Sequence, residues 1–61
     1  MTFDEREIAT KLASEYFDQA KEINEKSISA ADYVEQLIYL RTADALYAKG
    51  EAIFQLLRIL S

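Results

Sequence analysis

The chain contains almost none of the residues that reverse the direction of a polypeptide. Its 61 residues include one glycine, Gly50, and no proline. A sheet protein of this length needs several tight turns, and such turns favour Gly, Pro, Asn or Asp. The sequence therefore predicts an all-α fold, a single domain over residues 1–61 that is built from a few long helices.

A domain of this size needs a source of stability besides its own core. Short chains bury a small fraction of their surface, and natural examples usually add disulfides, a metal or a partner subunit. This chain has no cysteine and no histidine, which excludes disulfides and any thiolate or imidazole metal site. Its hydrophobic fraction of 51% is too high for a disordered chain. We therefore expect self-association.

The first helix is predicted by its N-terminal signals and by its periodicity. Thr2 stands three residues before Glu5, which is the spacing of a capping box. Apolar residues recur at helical spacing from Ile8 to Ile23 on one half of the helix, and charged residues fill the other half. We predict helix 1 over about residues 3–26.

A short connection is predicted to follow at residues 27–29. Ser29 is the expected N-cap of helix 2, because Asp32 then occupies the third helical position and can reach back to the cap. Ile28 and Tyr33 would then stand at the two hydrophobic-staple positions. A connection of this length joins antiparallel neighbours, so the sequence predicts an antiparallel helical hairpin.

Helix 2 is predicted to run from Ala30 to about residue 60, with Gly50 as its one point of uncertainty. Gly50 could end the helix and leave a separate short helix over residues 51–60. However, Glu51 and Ala52 offer no N-cap, and a glycine inside a helix costs only about 1 kcal/mol relative to alanine. We therefore favour a continuous helix that could bend at Gly50.

Helix 2 is apolar on nearly every side. Its large and small apolar residues fall into three stripes at helical spacing, which we call the first, second and third stripes. They are Val34, Ile38, Ala45, Ala48, Ala52, Leu56 and Ile59 in the first; Tyr33, Leu37, Leu40, Tyr47 and Phe54 in the second; and Tyr39, Leu46, Ile53, Leu57 and Leu60 in the third. A helix of this kind needs more than one packing partner.

The lengths of the two helices also predict self-association. A hairpin that folds back at residue 28 would bring the start of helix 1 near residue 53, so the end of helix 2 would project past it. A second copy would cover this overhang and form a four-helix C₂ dimer or a higher helical-bundle oligomer. The predicted oligomer interface consists of Tyr39, Leu46, Ile53, Phe54, Leu56, Leu57, Ile59 and Leu60.

The sequence predicts no catalysis, no metal and no cofactor. Without Cys or His, the common nucleophile–base pairs cannot form, and a single glycine cannot make a phosphate-binding loop. Glu15, Asp18 and Glu22 share one face of helix 1, but di-metal bundles also need Glu-x-x-His motifs. We interpret this acidic face as solvated.

Arg41 is the least expected residue, because it lies among the apolar residues of the first stripe. A charge in such a place is costly unless it is paired. One interpretation is a structural ion pair with Asp44 or with an acid of a neighbouring helix. The other is an anion-binding site at a subunit interface, to which Lys49 and Tyr39 would contribute.

The charge balance narrows the possible functions. The net charge is −4 and only seven basic residues are present, whereas nucleic-acid binding requires clustered Lys and Arg. The acidic start of the chain is unlike a signal peptide, and no apolar run reaches membrane-spanning length, so we expect a cytoplasmic protein without nucleic-acid or membrane partners.

The favoured function is macromolecular interaction, as an adaptor, inhibitor or regulator. The alternatives are sequestration of an anionic small molecule such as a nucleotide at subunit interfaces, and a purely structural oligomerisation module.

Overall fold

Two long helices account for nearly all of the chain. The computed structural model describes residues 2–60, and Met1 and Ser61 lie outside the described residues. Helix α1 spans Phe3–Ile28 and helix α2 spans Tyr33–Leu60. Residue 6 of α1 contacts residue 57 of α2 and residue 17 contacts residue 47, so the helices are antiparallel. The predicted all-α hairpin is confirmed.

The start of α1 follows the predicted capping pattern. The Thr2 hydroxyl accepts a hydrogen bond from the backbone N–H of Glu5 at 3.1 Å, and Asp4 and Glu5 place negative charge in the first turn, where the helix dipole favours it.

The end of α1 lies two residues beyond the prediction. Ser27 lies within α1 and is buried, and its hydroxyl donates to the carbonyl of Asn24 at 2.6 Å, a local bond that satisfies a buried serine within its own helix.

The predicted N-cap of the second helix is wrong. Ser29 is the C-cap of α1, and the cap of α2 is Asp32, whose carboxylate accepts from the backbone N–H of Glu35 at 2.8 Å. Helix α2 therefore begins three residues later than expected. A carboxylate suits this position because it makes a charge-assisted bond and complements the helix dipole. The proposed staple between Ile28 and Tyr33 does not form, and both side chains are exposed.

Gly50 does not interrupt α2. The helix runs through it, and no glycine among residues 2–60 has a positive φ. The alternative of a separate helix over residues 51–60 is therefore wrong. Gly50 is buried, which indicates that its role is to allow close packing against α1.

The helices meet along small residues at seven-residue spacing. Two helical turns separate successive members of each set, so each set lies on one side of its helix. The buried residues are Ala13, Ala20 and Ser27 on α1 and Ala43, Gly50 and Leu57 on α2. Of these only Leu57 has a large side chain, and the contact therefore depends on close approach of the two backbones.

The predicted overhang at the end of α2 is absent. The Arg6 guanidinium donates to the carbonyl oxygen of Leu57 at 3.4 Å, and the Leu57 side chain is only 4% exposed. Because α1 ends later and α2 begins later than expected, the chain reverses nearer to residue 31 than to residue 28. Helix α1 therefore covers α2 almost to its last turn.

Candidate functional site

One side of α2 has no covering element in the hairpin. We call it the outer face of α2, and its members are separated alternately by four and three residues. They are Val34, Ile38, Arg41, Ala45, Ala48, Ala52, Gln55 and Ile59. All eight are exposed, with exposed fractions of 66% for Val34, 60% for Ile38 and 77% for Ile59. This spacing is that of a coiled-coil contact.

The residues of the predicted oligomer interface divide between two environments. Tyr39, Leu46, Ile53 and Phe54 are half-buried and Leu57 is buried, whereas Leu56, Ile59 and Leu60 are exposed. The third stripe thus lies mainly toward α1. The burial of Leu57 by α1 is incompatible with its predicted position in an overhang. The first stripe is the one that α1 leaves open.

An aromatic cluster closes one edge of the contact between the helices. The ring of Phe17 stacks on Phe54 with a centroid distance of 5.7 Å and an interplanar angle of 11°, and it lies 5.8 Å from the ring of Tyr47. A β-carbon on residue 50 would lie 2.7 Å from Cε1 of Phe17. The absence of a side chain at Gly50 is therefore what admits the Phe17 ring.

An apolar groove lies near the end of α2. It has a volume of about 210 Å³ and is lined by apolar side chains of both helices: Ala9, Leu12, Ile53, Leu56, Leu57 and Leu60. Leu12, Leu56 and Leu60 remain exposed there. Leu56 is about one turn from Ala52 and from Ile59 along the helix, so the groove borders the outer face of α2.

The three residues predicted to bind an anion are not gathered around one pocket of the hairpin. Arg41 is exposed on the outer face, and among residues 2–60 the structure shows neither its expected ion pair with Asp44 nor another polar contact. The Lys49 ammonium lies 5.7 Å from the centroid of the Tyr16 ring, toward α1. Eight residues of helix separate Arg41 from Lys49 by about 12 Å along the axis, and Tyr39 is half-buried.

The charged groups of the hairpin are concentrated on α1. Helix α1 carries seven acidic and four basic residues, whereas α2 carries three of each. Among residues 2–60 no group of three or more acidic side chains could hold a metal ion, and Glu15, Asp18 and Glu22 are exposed. Neither described helix is long and apolar enough to cross a membrane. The outward side of α1 is thus charged, and the outer face of α2 is mainly apolar.

No protein-family model matches this chain, and no curated protein or solved structure is significantly similar to it. The outer face of α2 is mainly apolar and uncovered, and contiguous exposed apolar surface is typical of interaction sites.

Proposed function

We propose that this protein acts by macromolecular interaction, as a small helical protein that self-associates through apolar helix surfaces. The observation that carries the proposal is the area left exposed by the hairpin. Its accessible surface is 4775 Å², whereas a folded monomer of 7.0 kDa is expected to expose about 4,000 Å². The excess of about 700 Å² is close to what one partner buries in a standard protein interface.

The shape of the chain supports the same proposal. The radius of gyration is 14.2 Å and the principal extents are 46 × 16 × 9 Å, whereas a compact domain of this length has a radius of gyration of about 10.5 Å. Leu57 is the only large side chain that is buried among residues 2–60. A single pair of helices therefore leaves each helix with one covered side, and a second pair would supply the missing layer.

These features favour a second copy of the chain as the partner. An adaptor, inhibitor or regulator would bind its target through the surface that remains exposed in the homo-oligomer. The absence of His and Cys supports a role in binding over a role in catalysis. No separate observation favours the two alternatives, which are capture of an anionic small molecule and a purely structural role. A cytoplasmic location remains a prediction from the sequence.

Sedimentation equilibrium combined with thermal unfolding tests the proposal. We expect a species of at least twice 7.0 kDa at micromolar concentration. We also expect an unfolding midpoint that rises with protein concentration, as mass action requires when folding is coupled to association. A folded monomer whose midpoint is independent of concentration would contradict self-association.

A further inference from the structure

We propose that the occupant of the outer face of α2 is the same face of a second copy, paired antiparallel, with Arg41 of each chain beside Glu51 of the partner subunit. This inference rests on the proposed function, because it names the surface and the geometry of the self-association. Four observations support it: the spacing of the outer face, its small central residues, its charges and the area that the hairpin leaves exposed.

The spacing of the outer face gives α2 a second coiled-coil surface, in addition to the one that contacts α1. From Val34 to Ile59 its members alternate by four and three residues, which extends the surface over about 38 Å of helix. The contact with α1 uses a separate set with the same period, Ala43, Gly50 and Leu57, on the opposite side of α2. Helix α2 is thus built to lie between two helices, and the hairpin supplies one of them.

The residues at the centre of the outer face resemble those that already bring two helices of this chain together. Ala45, Ala48 and Ala52 are small, as are Ala13 and Ala20 at the contact of α1. Small residues let helix backbones approach closely, whereas larger apolar residues fill the space toward the ends. The outer face has this arrangement, with Val34 and Ile38 at one end and Ile59 at the other.

The charges of the outer face favour an antiparallel orientation. A parallel pair would place Arg41 beside Arg41 of the partner subunit, and juxtaposed like charges oppose association. In an antiparallel pair centred between Ala45 and Ala48, Arg41 instead lies opposite Ala52 of the partner subunit and next to Glu51 of the partner subunit. Glu51 is exposed, and the two-fold symmetry would form this ion pair twice.

The exposed area and the charge distribution agree with this arrangement. The excess exposed surface of about 700 Å² is close to the roughly 800 Å² per partner of a standard interface. Pairing through α2 places the nearly uncharged sides of both α2 helices inside and both α1 helices outside. Helix α1, with seven acidic residues, then keeps its charged side in water.

Cysteine cross-linking tests the orientation directly, because the chain has no cysteine of its own. In the proposed register Val34 lies opposite Ile59 of the partner subunit. A mixture of the Val34→Cys and Ile59→Cys variants should therefore form a mixed disulfide under mild oxidation. Val34→Cys alone should not cross-link to itself, since two copies of residue 34 would be about 38 Å apart. Circular dichroism of each variant checks that its helices are intact.

Three other outcomes would overturn the inference. Self-cross-linking of Val34→Cys would indicate a parallel pair. A dimer that forms no cross-link in the mixture would use another face, which leaves the proposed self-association standing. A folded chain that is monomeric at every concentration would contradict both proposals and would assign the outer face to a different protein.

A charge exchange provides an independent test of the same register. Arg41→Glu and Glu51→Arg should each raise the dimer dissociation constant by roughly tenfold, because each places like charges together. The double variant should return it to within about threefold of the original value. Ser14→Glu, which changes an exposed residue of α1, is the control and should have little effect. Additive losses in the double variant would overturn the Arg41–Glu51 pairing.

Discussion

The ring of Phe17 occupies the space that a side chain on residue 50 would need. The Cε1 and Cζ atoms of Phe17 lie 2.7 and 2.8 Å from the position of a β-carbon at Gly50. Tyr47 and Phe54 lie against the same ring, so Phe17 cannot swing away without giving up these contacts. Gly50 and Phe17 therefore form a matched pair across the helix contact.

Gly50→Ala should destabilise the hairpin, although alanine is the better helix former. From the sequence alone we expect a gain of about 0.5–1 kcal/mol, provided no close contact occupies the site. The structure supplies such a contact, and overpacking a close contact typically costs about 1–3 kcal/mol. We expect a net loss of about 1 kcal/mol in urea unfolding. Phe17→Leu should remove most of the penalty in a double-mutant cycle, and a penalty unchanged by that substitution would contradict the role of the ring.

Asp32→Ala should destabilise the protein more than Ser29→Ala does. The Asp32 carboxylate caps α2 at 2.8 Å, and loss of an N-cap costs about 1 kcal/mol. The Ser29 hydroxyl only donates to the Lys26 carbonyl, at 3.4 Å, so its loss should cost little. Urea unfolding of the two variants measures the difference in stability. A larger loss for Ser29→Ala than for Asp32→Ala would indicate that Ser29 is the cap.

Leu57→Ala should weaken the hairpin itself. Leu57 is the one large buried side chain of the described residues, and truncating a buried leucine costs about 2–5 kcal/mol. Leu60→Ala is the matched control, because Leu60 is 57% exposed and lies on the same helix. Helical content measured by circular dichroism should fall first for Leu57→Ala on heating. Equal melting of the two variants would mean that α1 does not bury Leu57.

Arg41→Met should lower the stability of the assembly and should not alter a response to nucleotides. If Arg41 pairs with Glu51 of the partner subunit, the substitution of Arg41 leaves that carboxylate unpaired at the interface. Melting of both proteins with and without a nucleotide panel tests this expectation. A nucleotide that stabilises the original protein but not Arg41→Met would instead favour the ligand-capture alternative.

The local signals of the sequence predicted the helices well and their ends less well. Thr2 caps α1 as expected, because its partner Glu5 is close in sequence and no distant contact is involved. The prediction of Ser29 as the N-cap of the second helix depended on where α1 ends. Helix α1 continues through Ser27, which is buried, and local spacing does not reveal that burial.

The orientation of α2 could not be predicted from its large apolar residues. The pattern showed three apolar stripes but not which of them α1 covers. The helices approach along Ala43 and Gly50, which belong to none of the three stripes, because small residues permit the close contact. The predicted ion pair of Arg41 with Asp44 is not seen among residues 2–60, and Arg41 lies exposed on the outer face.

The short connection between the helices has a consequence for the kinetics of folding. Only residues 29–32 separate α1 from α2, and closing a loop of about ten residues takes on the order of 10–100 ns. Encounters between two chains at micromolar concentration, with association rate constants of about 10⁵–10⁷ M⁻¹s⁻¹, take on the order of 0.1–10 s. Pairing of two hairpins would therefore be the slow step, and the rate of the final refolding phase in stopped-flow experiments should increase in proportion to protein concentration.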